Sequence, residues 1–214
     1  MAELTDYEGL KAVVADYLGR DDLADRIPDF IRLAEARLNR DVRMRVMERR
    51  AYHLLDAGKN ELSLPWKREA GDWDVFLEMR DLVWRCGGRT VNLTYLPADD
   101  YSTRLQEQGS PVRYAIVGKS LFIVPVPDQR GQVELTYWAE IPPLSDAQPA
   151  NAVLETAPDL YLYAALVESA PWARSSVPVE LWTQYYREAR ERVRESENRG
   201  RYTANVRMRP CRRI

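Results

Sequence analysis

The chain has 214 residues, with 31 basic and 33 acidic side chains for a formal net charge of −2, a hydrophobic share of 45 % and a charged share of 30 %. This composition excludes a largely disordered chain, and the balanced charge excludes a global positive field that would draw nucleic acid. No apolar run reaches the roughly 18 residues a membrane span needs, and MAELTDYEGL lacks the basic-then-apolar order of a signal peptide, so a reducing cytoplasm is the expected setting for Cys86 and Cys211.

Thr5 and Glu8 have capping-box spacing, and Leu10, Val13, Val14, Tyr17 and Leu18 mark one face of a helix over residues 6–18 that Gly19 ends. Asp22 then caps a short turn. Residues 27–48, IPDFIRLAEARLNRDVRMRVME, read as a second helix that should pack antiparallel to the first. Pro28 suits a first-turn position, Asp29 sits at the positive end of the dipole, and Ile27, Ile31, Ala34 and Leu38 form an apolar stripe beside Phe30. Arg32, Arg37, Arg40, Arg43 and Arg45 cover the remaining circumference, with Glu35 and Asp41 the acids among them. Such a face is either solvated or meets an acidic partner or phosphate.

From Arg50 the period shortens and turn residues recur. Residues 51–55, the turn DAGKN and residues 61–64 read as one hairpin, and residues 75–84, CGG and residues 90–95 as a second. Residues 97–108 suggest a short helix stopped by Gly109. Residues 112–117, Gly118-Lys119-Ser120 and residues 121–124 form a third hairpin, and residues 133–138 a further alternating strand. This middle region reads as a small antiparallel sheet unit.

Helical period returns after the loop 142–151. Thr156 is the expected cap of a helix with Pro158 and Asp159 in its first turn, and SVPVE starts a last long helix ended by Gly200. Trp182, Tyr185, Tyr186, Ala189 and Val193 are spaced for burial there, with Arg187–Glu191 and Glu188–Arg192 as four-apart charge pairs. RYTANVRMRPCRRI follows, a basic tail with no acidic side chain whose Val206 and Met208 alternate with Arg207 and Arg209; it fits a solvated terminus or a strand added to another subunit's sheet. The expected fold class is α+β: a helical bundle of about four long helices interrupted by an antiparallel β-rich insertion, with an extended C-terminal tail. Residues 1–49 and 152–200 form the helical domain, 50–151 the insertion and 201–214 a flexible basic arm.

Reaction chemistry finds little purchase in this pattern. His53 is the single histidine, so no metal pair can be built on it, and neither cysteine has a histidine near it in sequence. The glycines form no phosphate-cradling loop before a helix, and no G-x-S-x-G elbow is present. Asp72 with Asp74, or Glu61 with Glu69, could supply a carboxylate pair for a virion-associated cell-wall glycosidase, the alternative function. A third possibility is a nucleic-acid-binding module built on the basic tail.

The segments RIPDFIRLAEARLNRDVR, LSLPWKREAGDWDVFLEMRDLVW, SPVRYAIVGKSLFIVPVPD, VELTYWAEIPPLSD and APDLYLYAALVESAPWARS occur in an order and spacing that resembles the head-to-tail adaptor proteins of tailed bacteriophages, over about residues 5–200. The resemblance implies a structural virion protein, not an enzyme, with no catalytic residues, metal or cofactor. It would form a ring, of about twelve copies, beneath the portal protein at the head–tail junction. Made in the host cytoplasm, it would close or extend the channel through which genomic DNA passes, and it would present a surface to a downstream tail or nozzle protein, with no membrane involved. The resemblance assigns portal binding to the tail, through Arg201, Tyr202, Val206, Arg207, Met208, Arg209, Arg212, Arg213 and Ile214. Arg37, Arg40, Arg43, Arg187, Glu188 and Glu191 become the candidate intersubunit or channel face.

Overall fold

Asp6, rather than Thr5, caps the first helix, α1 (Tyr7–Leu18): its carboxylate accepts from the Gly9 N–H at 2.7 Å, and Gly19, at φ +58°, closes the far end in the left-handed conformation that favours glycine. In the computed structural model, which describes residues 4–66, 74–102, 107–172 and 178–202, the chain is mixed α+β and divides into two compact units. One comprises Met1–Val46 with Ile141–Ile214, and the other Met47–Glu140. A 3-10 turn, Asp21–Arg26, leads into α2 (Ile27–Asp41), with Pro28 in its first turn as expected. The helix does not run on to residue 48. Val42 turns to extended backbone and Arg43 folds back, its Nη1 donating to the Asn39 and Val42 carbonyls at 2.7 Å each, so the terminal carbonyls are satisfied where the chain leaves the helix.

The β unit begins with β1 (Glu48–Leu55) and β2 (Glu61–Ser63). These two do not form the expected hairpin. In the loop between them Gly58, at φ +80°, donates to the Pro127 carbonyl at 2.8 Å, and the chain passes from one sheet into another instead of reversing within one. β3 (Phe76–Cys86) and β4 (Arg89–Asn92) do form a hairpin, across Gly87 and Gly88, both at positive φ as a tight two-residue turn requires. β5 (Thr94–Tyr95) then crosses to the second sheet. The short helix reduces to α3 (Ala98–Ser102) in the described residues, and residues 108–109, expected at its end, are the small strand β6 (Gln108–Gly109). β7 (Arg113–Val117) and β8 (Ser120–Val124) pair as expected around Gly118, followed by β9 (Val126–Pro127) and β10 (Gly131–Ala139).

Sheet order is β1-β10-β3-β4 and β2-β8-β7-β5, with β6 and β9 as a separate pair; the β5–β7 and β6–β9 pairings are parallel and the rest antiparallel. β10 is a central strand buried along nearly its whole length, not an alternating one, and its Glu134 is held by Arg85 at 2.7 Å and Arg50 at 3.3 Å. The core between the sheets includes Leu55, Leu62, Phe76, Leu82, Trp84, Leu121, Ile123, Val133 and Leu135. Gly131 is set by packing: a Cβ there would overlap the Trp84 ring and lie 2.8 Å from the Arg85 carbonyl oxygen.

Returning to the helical unit, α4 (Ala152–Thr156) is capped by Asn151, whose Oδ1 accepts from the Leu154 N–H at 2.9 Å. Thr156 is the last residue of α4 rather than the cap of the next helix, and its hydroxyl donates to the Ala152 carbonyl at 2.6 Å. α5 (Pro158–Ser169) starts on Pro158 and is followed by the 3-10 turn Ala170–Trp172 and by α6 (Val179–Tyr202), which continues through Gly200. α5 packs against α1, α2 and α6. Ile27, Phe30, Ile31, Ala34 and Leu38 of α2 and Leu160, Tyr161, Ala164 and Ala165 of α5 are all buried, so the apolar stripe read from sequence does face a helix.

Candidate functional site

The arginine face of α2 divides into residues engaged within the chain and residues that face solvent. Arg37 Nε lies 2.5 Å from Glu168 Oε1 of α5, and its guanidinium sits 5.7 Å from the centre of the Tyr186 ring. Tyr186 in turn donates to Asp41 Oδ2 at 2.7 Å; burial and then that bond to a carboxylate push its pKa well above the ordinary tyrosine value. Arg43 caps the end of α2, and Arg45 pairs with Glu197 of α6 at 3.1 Å. Arg32 and Arg40 are exposed.

On α6 the expected four-apart pairs give way to other partners. Glu188 accepts from Gln184 at 2.8 Å, Glu191 lies 3.6 Å from Arg194, and Arg192 reaches Asp159 of α5 at 3.1 Å. Arg187 is exposed. Asp41, Arg43, Arg190, Glu191, Arg194 and Glu197 line a cleft of about 340 Å³ where the end of α2 meets α6. The structure thus brings Arg43 and Glu191 to one cleft and leaves Arg40, Arg187 and Glu188 outside its lining. Arg201 and Tyr202 are the last two residues of α6, whereas Val206, Arg207, Met208, Arg209, Arg212, Arg213 and Ile214 lie outside the described residues.

Sequence reasoning missed the residue on which the helical unit turns. Glu35 is buried, accepts from the Leu144 N–H at 2.7 Å and from the Tyr161 hydroxyl at 3.0 Å, and so ties α2 to α5 and to the incoming loop. Asn151 extends the network, donating to the Tyr161 oxygen at 3.0 Å and to the Pro142 carbonyl at 2.8 Å while it caps α4. Burial, followed by the neighbouring negative charge of Glu35, raises the Tyr161 pKa far above its ordinary value. A signal was present: Glu35 lies four residues after Ile31 and three before Leu38, which places it on the apolar stripe rather than among the arginines.

Of the candidate carboxylates, Asp74 accepts from Arg49 Nε at 2.5 Å and Glu61 lies on β2; Glu69 and Asp72 lie outside the described residues. Among the described residues no cluster of histidine, cysteine and carboxylate side chains could hold a metal ion, and no helix is long and apolar enough to cross a membrane. The charged and aromatic residues of the helical unit pair, stack and cap within the chain. Over residues 5–209 the chain matches the family model described as SU10 adaptor protein, and it belongs to that family, which is one of bacteriophage head–tail adaptors. Its role is structural, as a component of the phage particle. No curated protein matches the chain.

Proposed function

We propose that this adaptor docks as a ring of about twelve copies beneath the portal, at the neck of the virion, where it closes or extends the DNA channel and offers the attachment surface for the next tail protein. The observation that carries the reading is the family match itself: it covers both units and reaches residue 209, so the adaptor role belongs to nearly the whole chain. In this reading α1, α2, α5 and α6 act as one bundle that packs laterally against its neighbours. The β-rich insertion contacts the next component of the tail, and the basic segment after α6 clasps the portal, ordering only as it docks. Of the arginines assigned to the intersubunit or channel face, Arg40 is the one on α2 that makes no ion pair with a described residue, so it is available to a neighbouring copy, while the DNA passes through the ring without sequence-specific contact. The free chain is monomeric and assembles on the portal.

Phage particles made without this chain test the reading. They should accumulate as heads without tails that lose their genome, and purified chain added to them should restore tail attachment. Normal tailed particles in its absence would contradict it.

A further inference from the structure

The helix α5 is nearly encased, yet one strip of it is open. Leu160, Tyr161, Ala164, Ala165 and Leu166 are buried, whereas Asp159, Tyr163, Val167 and Ala170 stay partly exposed. Steps of four, four and three residues put those four on a single face. Aromatic walls border the strip. Tyr185 of α6 packs its ring 5.1 Å from that of Tyr163, and Arg192, two turns further along α6, reaches Asp159. Tyr17 of α1 is close enough to Tyr163 to add, after burial itself, to the rise in its pKa. Yet Tyr17 is 51 % exposed, Leu181 41 % and Tyr185 36 %, which is high for large side chains flanking a nearly encased helix. Exposed Glu188 lies one turn beyond Tyr185 on the same face of α6, so with Asp159 the acids outnumber Arg192.

The opposite character appears on the outward face of α2. Arg32, Leu33, Ala36 and Arg40 are all exposed and spaced as one stripe, on the side of the helix away from the buried Phe30, Ile31, Ala34 and Leu38. Leu33 is 48 % exposed, and neither Arg32 nor Arg40 makes an ion pair with a described residue. The stripe is a ridge with an apolar, small-residue centre and a guanidinium at each end.

We infer that the α2 ridge of one copy seats in the tyrosine-walled groove of the next. Leu33 and Ala36 would press on Tyr163 and Tyr185, while Arg32 and Arg40 lie over tyrosine faces and toward Glu188 and Asp159, where arginine gains from both stacking and charge. Ridge and groove are different surfaces of one chain, so the contact is heterologous, the kind that closes a ring when repeated. The occupant is a second copy because the complementary surface is present in every copy and its charge is opposite. Nucleic acid is disfavoured by the acids of the groove. This contact rests on the ring reading above and specifies which helices make it.

The test uses full-length chain assembled on its portal, with Cys86→Ser and Cys211→Ser as background. A mixture of Leu33→Cys chains and Tyr185→Cys chains treated with a short bis-maleimide should give cross-linked pairs containing one chain of each kind, and the doubly substituted chain should give a ladder. Arg32→Glu with Arg40→Glu should raise the concentration needed for ring formation about tenfold, with the melting temperature of the free chain unchanged. Rings that form but yield neither pairs nor ladder would overturn the contact and leave the ring reading standing. Cross-linking of Tyr185→Cys to a retained Cys211 would also overturn it, by placing the basic arm in the groove. Wild-type chain that forms no ring on the portal would overturn both.

Discussion

The helical unit closes on a buried carboxylate, whereas the β unit closes on a glycine that lets an indole lie against the backbone. Glu35 holds α2 to α5 and to the loop before α4 by directed hydrogen bonds between segments more than a hundred residues apart, 109 to Leu144 and 126 to Tyr161, and Asn151 locks Tyr161 from ten residues away. Gly131 and Trp84 fit adjacent strands of one sheet together by shape, and an apolar core fills the space between that sheet and the other. Polar closure specifies one arrangement and fails abruptly if a partner is lost; apolar closure tolerates lost polarity but not added volume.

The largest effect should come from adding volume to the β unit. Gly131→Ala forces a methyl into the Trp84 ring and the Arg85 carbonyl and should cost about 3 to 5 kcal/mol in urea denaturation, with hydrogen exchange locating the loss in β10 and β3. Glu35→Ala comes next, at about 3 kcal/mol, because it strands the Leu144 N–H and the Tyr161 hydroxyl and leaves a cavity; an effect below about 1 kcal/mol would break the contrast drawn above. Tyr161→Phe removes one member but leaves Asn151 bonded to Pro142, so about 1 to 2 kcal/mol is expected.

The same phenol sets a pH dependence. The fold favours protonated Tyr161 and Tyr186, raising both pKa values, so their stabilisation is complete below pH about 10, where the unfolded tyrosine begins to ionise, and is lost as pH rises beyond it. Urea midpoints at pH 9 and 11 should fall apart in the native chain and less so in Tyr161→Phe. Smallest of all, Arg192→Ala should change stability by no more than about 0.5 kcal/mol, since its pair with Asp159 is exposed.

How much of this was legible in the residues follows from the range of the forces involved. The stripe of α2, the parts of the α1 and α6 stripes that exclude Tyr17 and Tyr185, which are exposed, and the turns at Gly87-Gly88 and Gly118 are local, and sequence located them within a few residues. β1 with β10 joins segments about eighty residues apart, and nothing in ERRAYHLL says that its partner is not the next strand. Arg43 looked like a surface charge and is a helix cap, because capping depends on where the helix stops, and that depends on the extended Val42. Glu35 was readable from its position on the stripe, but its partners at Leu144 and Tyr161 were not.

The most direct test of the adaptor assignment is the native mass of the complex formed when the chain is mixed with the portal ring of the same phage, both full length and cut after Tyr202, where α6 ends. The account predicts a complex of ring stoichiometry with the full chain, in which twelve or a nearby number of copies add to the portal, and its loss on truncation. Equal binding by both forms would discard the basic clasp, and no binding by either would contradict the docking of this adaptor on the portal.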